Sequence, residues 1–228
     1  MKKLKGVFFD IGSTLVMGPD ISPCKDIAKI LGHTEINSDM VKDIIMVREL
    51  TSPPDIIKYL VSIVNAEAIT RCTHKVKDLW DSQEIAAIEI TGASETVKEL
   101  KQMGLLIGLI SDIWVPYYKS FKLACPEIVA TVDSTTLSFR EGVRKPNPVL
   151  YERALASLDL TPDAAVMVGD SYFSDIEPAM KLGMNTVWFL SRPAHELDPI
   201  VRVFNGELKK PDYTIGTISQ LLMLDLWR

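Results

Sequence analysis

The chain has 228 residues, of which 47% are apolar and 24% charged, and it carries a formal charge of −5. This is the balance of a folded protein with a sizeable core, and it excludes a disordered, fibrous or collagen-like chain. Acids and bases are mixed along the whole length with no basic block to follow a nucleic-acid backbone or an anionic lipid surface, so neither nucleic acid nor membrane is an expected partner.

The start, MKKLKGVFFD, resembles the charged head of a signal peptide, but its apolar run ends at Asp10, far short of a secretory segment. No stretch approaches the roughly 20 apolar residues of a membrane span. Three widely spaced cysteines, Cys24, Cys72 and Cys125, form no CxxC pair, which fits a reduced, cytoplasmic setting better than a disulfide framework or a zinc site.

Residues 7–9 form an apolar run that leads into Asp10. Residues 105–110 lead likewise into Ser111 and Asp112, and residues 165–168 into Gly169 and Asp170. Short apolar runs that stop at small or acidic residues are the pattern of buried parallel strands whose carboxyl ends present a site. Weaker strand candidates are residues 128–132, 186–190 and 213–215. Between the strands, Val97, Leu100 and Met103, and then Val149, Leu150, Ala154, Leu155 and Leu158, recur at helical spacing. Alternating strand and helix predicts an α/β fold with a doubly wound, mainly parallel sheet, in which ligands bind beyond the carboxyl ends of the strands.

Residues 16–91 read differently. They lack a convincing strand but show helical spacing at Ile27, Ile30 and Leu31 and at Ile56, Ile57, Leu60, Val61 and Val64, with Pro53 and Pro54 separating two helices. This predicts an all-helical insertion directly after the first strand and above the strand ends, a candidate lid. The expected organisation is an α/β core of residues 1–15 and 92–228 with a helical cap of residues 16–91. The tail PDYTIGTISQLL reads as a short strand and an apolar helix that close the sheet, and the chain is expected to be a monomer or a homodimer.

Four segments carry chemistry. In VFFDIGSTL, Asp10 stands at a strand end before a turn containing Gly12, with Thr14 placed to help hold it. A carboxylate so placed can attack phosphorus and divide one hard displacement into two easier ones. In LIGLISDIW, Ser111 and Asp112 line the same rim. In REGVRKPNPVLYERAL, Lys145 precedes Pro146 and a helix, and its ammonium can neutralise charge that develops on phosphate oxygens. In VMVGDSYFSDIEPAMKLGM, Gly169 permits a tight turn, and Asp170 and Asp175 stand five apart. Carboxylates crowded together repel one another without a cation, which argues for a bound metal or the Lys145 ammonium between them.

In this order and spacing the four segments resemble the haloacid dehalogenase superfamily, from Val7 to about Phe189, with a helical insert where that family often places a cap. The resemblance implies a Mg2+-dependent hydrolase that acts on a small phosphorylated substrate through an aspartyl-phosphate on Asp10. It implies Ser111 as the small hydroxyl that bonds the transferring phosphoryl group and Lys145 as the single lysine. Asp112 and Thr14 join them in the substrate site. For Mg2+ it implies Asp10, Asp170 and the main-chain carbonyl of Gly12, with Asp175 orienting a metal-bound water or Lys145.

One position departs from the phosphatase pattern. Two residues after the nucleophile that pattern has a second aspartate, the general acid for the leaving oxygen; here stands Gly12, and a contribution of roughly 10²- to 10⁴-fold is missing or comes from elsewhere. Three readings follow: a phosphatase for leaving groups of low pKa, or with an acid from the insertion; a phosphonatase-like enzyme using Lys42 or Lys58 as Schiff-base lysine; or a weakly catalytic metal- and phosphate-binding regulator. His33, His74 and His195 show no metal-ligand spacing, and Trp114, Tyr117 and Tyr118, which follow residues 105–110, either edge the pocket or pack, with packing the expectation.

Overall fold

The computed structural model describes residues 4–19, 22–32, 37–61 and 66–227, with the backbone alone for residues 66–71. His33 and Val64 lie outside the described residues.

The chain opens with strand β1 (Gly6–Phe9), a two-residue strand β2 (Val16–Met17) and four helices, α1 (Pro23–Leu31), α2 (Ser38–Ile45), α3 (Pro53–Val61) and α4 (Ala66–Gln83). A second two-residue strand, β3 (Ile88–Glu89), precedes α5 (Ala93–Gln102), β4 (Leu106–Ser111), α6 (Val115–Ala124), α7 (Pro126–Thr131) and β5 (Ser134–Leu137). Next come α8 (Ser138–Glu141), α9 (Pro148–Ser157), β6 (Ala165–Gly169), α10 (Glu177–Leu182), β7 (Asn185–Phe189), α11 (Leu197–Phe204) and β8 (Tyr213–Ile215).

Six strands form one sheet in the order β5-β4-β1-β6-β7-β8, every pair parallel. β1 lies inside it, with Phe9 in register with Leu109 of β4 on one side and Val168 of β6 on the other. Successive side chains point to opposite faces, and the core divides accordingly. Val7, Phe9, Ile107, Leu109, Val166 and Val168 pack with α5 on one face. Phe8, Ile110 and Met167 pack with Leu150, Tyr151 and Ala154 of α9 on the other. Both faces are covered, so strands such as GVFF are buried at every residue and read as continuous apolar runs.

The helices α1 to α4 share a separate apolar cluster that includes Ile27, Val41, Ile45, Ile56, Leu60 and Trp80, and Trp114 from the core side enters it. Local signals set their starts: Asn37 caps α2 by accepting the amide hydrogens of Asp39 and Met40, and α1 and α3 begin at prolines.

Two local expectations are corrected. Residues 128–132, expected as a strand, lie mostly in α7, which starts at Pro126 and buries Ile128; the sheet position is taken by β5, whose sequence STTL is too polar to stand out. The insertion is bounded by strands after all: Val16 pairs antiparallel with Glu89 and Met17 with Ile88. Two-residue strands carry too little pattern to be seen in a sequence. After β8 the apolar helix of the tail is a 3-10 helix, Ile218–Met223.

Candidate active site

β1, β4 and β6 are neighbours, so their carboxyl ends deliver Asp10, Ser111 and Asp170 to one place. The Asp10 amide donates to the Val168 carbonyl at 3.0 Å, extending the β1–β6 ladder by one residue and holding the Asp10 backbone in position. The turn that follows is tight: Ser13 has φ 59°, its amide donates to Val16 O, and its carbonyl accepts the Ser191 hydroxyl at 2.6 Å.

Lys145 reaches the same point from the loop before α9. Its Nζ lies 2.6 Å from Asp10 Oδ1 and 2.6 Å from Asp175 Oδ1, while the Ser111 hydroxyl donates to Asp10 Oδ1 at 3.0 Å. All four side chains are buried. Asp112 holds Lys145 from behind, since its Oδ1 accepts the Lys145 amide at 2.9 Å. Arg144, beside it, pairs with Asp43 of α2 at 2.9 Å and so ties the core loop to the helical insertion.

Asp175 is carried on a π-helical turn, Tyr172–Ile176, a distortion frequent at functional sites. Its second oxygen accepts the Ser171 amide at 3.0 Å.

The electrostatics follow from burial. Burial works to lower the Lys145 pKa, but Asp10 and Asp175 outweigh it and hold the ammonium well above its usual value. Asp175 is pushed up to about 8, by burial first and then by Asp10 and Asp170, against the pull of Lys145. Asp170 is raised by burial and Asp10, opposed by Arg192, whose Nη2 lies 2.8 Å from Asp170 Oδ2. Asp112 is raised by burial and lowered by Lys145.

Asp10, Asp170 and Asp175 each offer a carboxylate oxygen, and these atoms lie within 4.8 Å of one another. A buried, oxygen-only cluster with surplus negative charge suits a hard divalent cation such as Mg2+, which accepts one or two carboxylates and keeps several waters. The residues present therefore fit the metal that the sequence pattern implies.

These groups line a pocket of about 340 Å³, at the small end of ligand sites. Asp10, Gly12, Asp112, Lys145, Asp170 and Asp175 all line it. Ser111 reaches it only through its bond to Asp10. Thr14 does not line it: it is wholly buried, and among the described residues its hydroxyl has no hydrogen-bond partner.

Sequence reasoning missed part of the lining. Arg192 and His195 follow β7 at the same edge of the sheet, and that position after a strand end was the only available signal. Gln83, Trp114 and Tyr117 also line the pocket and carry no motif. Lys42 lines it as well, whereas Lys58 is exposed elsewhere.

A HAD-hydrolase-like family model matches residues 142–198, the stretch that holds Lys145, Asp170 and Asp175. The glyceraldehyde 3-phosphate phosphatase of Pyrococcus furiosus is 28% identical over 97% of this chain and 93% of its own length. These matches support a haloacid-dehalogenase-type, phosphatase-like hydrolase. A second such phosphatase, from Pyrococcus abyssi, is 36% identical over 44% of this chain and 42% of its own length. The fold agrees: a predicted phosphoglycolate phosphatase from Haemophilus somnus superposes with a TM-score of 0.66, at 16% identity, over 98% of both chains. Within the α/β core, the four segments occupy four neighbouring loops at one edge of the sheet, while Gly12 leaves the neighbourhood of Asp10 without the second aspartate of the phosphatase pattern.

Proposed function

We propose that this chain is a Mg2+-dependent phosphatase for a small phosphorylated metabolite, with Asp10 as nucleophile. One observation carries the reading: the Asp10 carboxylate stands at the pocket floor with the Ser111 hydroxyl and the Lys145 ammonium both on its Oδ1. That leaves its other oxygen as the attacking atom.

Asp10 attacks phosphorus, the new P–O bond forms as the ester P–O bond breaks, and the leaving oxygen departs with the electron pair. Water then attacks the aspartyl-phosphate, returning free Asp10 and phosphate. Ser111 positions the phosphoryl group, and Lys145 offsets the charge that develops on its oxygens. Asp112 acts at one remove by fixing the Lys145 backbone. Mg2+, held by Asp10, Asp170 and the Gly12 carbonyl with Asp175 behind them, would supply further positive charge at the phosphate.

The helical insertion, taken as residues 16–91 on a core of 1–15 and 92–228, serves as the cap that excludes bulk water during attack. A pocket of this volume accepts a small metabolite, and the curated relatives are phosphatases of small phosphorylated compounds. No described helix is long and apolar enough to cross a membrane, and we place the enzyme in the cytoplasm, as a monomer or homodimer.

The test is phosphate release from a broad panel of phosphate esters, with Mg2+ and with chelator. Asp10→Asn should abolish release while leaving the unfolding transition in place; full residual activity would remove Asp10 as nucleophile. A second reading, a phosphonatase-like enzyme, is favoured by Lys42 lining the pocket. Borohydride trapping of a Schiff base with phosphonoacetaldehyde, lost in Lys42→Arg, would establish it.

A further inference from the structure

The pocket has two kinds of wall. Charged residues at the strand ends form one, and Met17, Lys42, Met46, Gln83, Trp114 and Tyr117, from β2, the helices of the insertion and the segment after β4, form the other. If phosphate is bound at the strand ends, the rest of the substrate meets the second wall. This inference rests on the phosphatase reading and extends it to the group that leaves.

Gln83, the last residue of α4, is 3% exposed. Its Oε1 accepts the Trp114 indole N–H at 3.3 Å. An indole nitrogen can only donate, so the amide orientation is decided: oxygen towards Trp114, nitrogen away from it. Trp114 is itself 2% exposed and packs edge-on against Trp80 at 5.6 Å, so the anchor is rigid. Among the described residues the Gln83 Nε2 has no hydrogen-bond partner, yet it is not among the wholly enclosed polar atoms that lack one, which are Thr14 Oγ1 and Arg192 Nε. It is therefore not fully enclosed, and Gln83 lines the pocket. A donor pair held in a mostly buried wall is costly unless an acceptor meets it.

We infer that Gln83 is a specificity-determining residue whose side-chain amide donates to an oxygen of the leaving group, so that the enzyme selects phosphate esters of hydroxylated or carbonyl-bearing carbon chains over plain alkyl phosphates. The reaction supplying such a substrate is a phosphorylation of a polyol, sugar fragment or hydroxy acid.

The test compares glycerol phosphate with propyl phosphate, equal in carbon number and different in oxygens. Wild-type enzyme with Mg2+ should favour glycerol phosphate by about tenfold in kcat/KM, the size of one hydrogen bond. Gln83→Glu keeps an acceptor for Trp114 and removes the donors; Gln83→Met removes both. In each variant the ratio should fall to near one. A fall in both rates with the ratio retained marks a structural residue and overturns the inference, as does equal use of the two esters by wild type.

If wild type cleaves neither, and releases no phosphate from the broad panel of esters, the phosphatase reading fails separately. Calorimetric titration of the Asp10→Asn protein then decides for Gln83. Glycerol phosphate binding about tenfold tighter than propyl phosphate, with the difference lost in Asp10→Asn/Gln83→Glu, upholds the inference; equal affinities overturn it.

Discussion

Asp175 packs directly against Gly169: a Cβ built on that glycine would lie 2.4 Å from both Cβ and Cγ of Asp175. Asp175 cannot retreat, because Lys145 and the Ser171 amide hold its two oxygens. Gly169→Ala should therefore push Asp175 off Lys145, cost about 1–3 kcal/mol of stability and lower phosphate release. Urea unfolding read beside activity checks this; a variant with wild-type values of both would show that the close packing is dispensable.

Gly12 is the opposite case. A Cβ there meets nothing within 4 Å, so Gly12→Asp introduces a carboxyl without a clash, two residues after Asp10. If proton supply limits the reaction, turnover of alkyl phosphates should rise, by up to roughly 10²-fold, while aryl phosphates with good leaving groups gain little. Equal rates for both classes before and after the change would mean that the proton comes from another group.

Lys145 is the single ammonium between Asp10 and Asp175, with a side chain 4% exposed. Replacing it by methionine fills similar space but leaves two buried carboxylates uncompensated. Removing one partner of such a cluster costs about 3–5 kcal/mol, and added Mg2+ should restore part of that loss. Unfolding in chelator and in Mg2+ measures both; a Lys145→Met protein as stable as wild type in chelator would contradict the cluster described here.

The cysteines separate the two hydrophobic units. Burial pushes the Cys125 thiol up to about 12 and raises that of Cys24, and both side chains are 0% exposed. At neutral pH both remain thiols, and the thiolate is the reactive form. Cys72 is partly exposed, with its thiol donating to Ile30 O at 3.2 Å. Iodoacetamide should label native protein at Cys72 alone, Cys24 reacting when the helical insertion opens and Cys125 when the sheet core unfolds. Rapid native labelling of Cys125 would disprove its burial.

Much of the sheet was readable in the chain because each inner strand is apolar on both faces and stops at a small or acidic residue, as GVFF stops at Asp10 and AVMVG at Asp170. β5 carries no apolar signal since STTL at the sheet edge is only half buried, while residues 128–132, rich in β-branched side chains, have strand propensity although packing against α5 makes most of them helix. Strand propensity describes fit to a pleated surface, and the helix layer offered these residues a different one.

By itself the sequence determined the core alternation, the helical character of the insertion, and the four segments bearing Asp10, Ser111, Lys145, Asp170 and Asp175, because periodicity and strand-end chemistry are local properties of the chain. Only the tertiary structure decided that Asp112 anchors the Lys145 backbone, that Thr14 is enclosed away from the pocket, and that Arg192, Trp114 and Gln83 line it. Such relationships join residues far apart in number, 135 for Lys145 and Asp10 and 178 for Ser191 and Ser13, and they are fixed by the parallel order of β4, β1 and β6, in which loops remote along the chain end side by side.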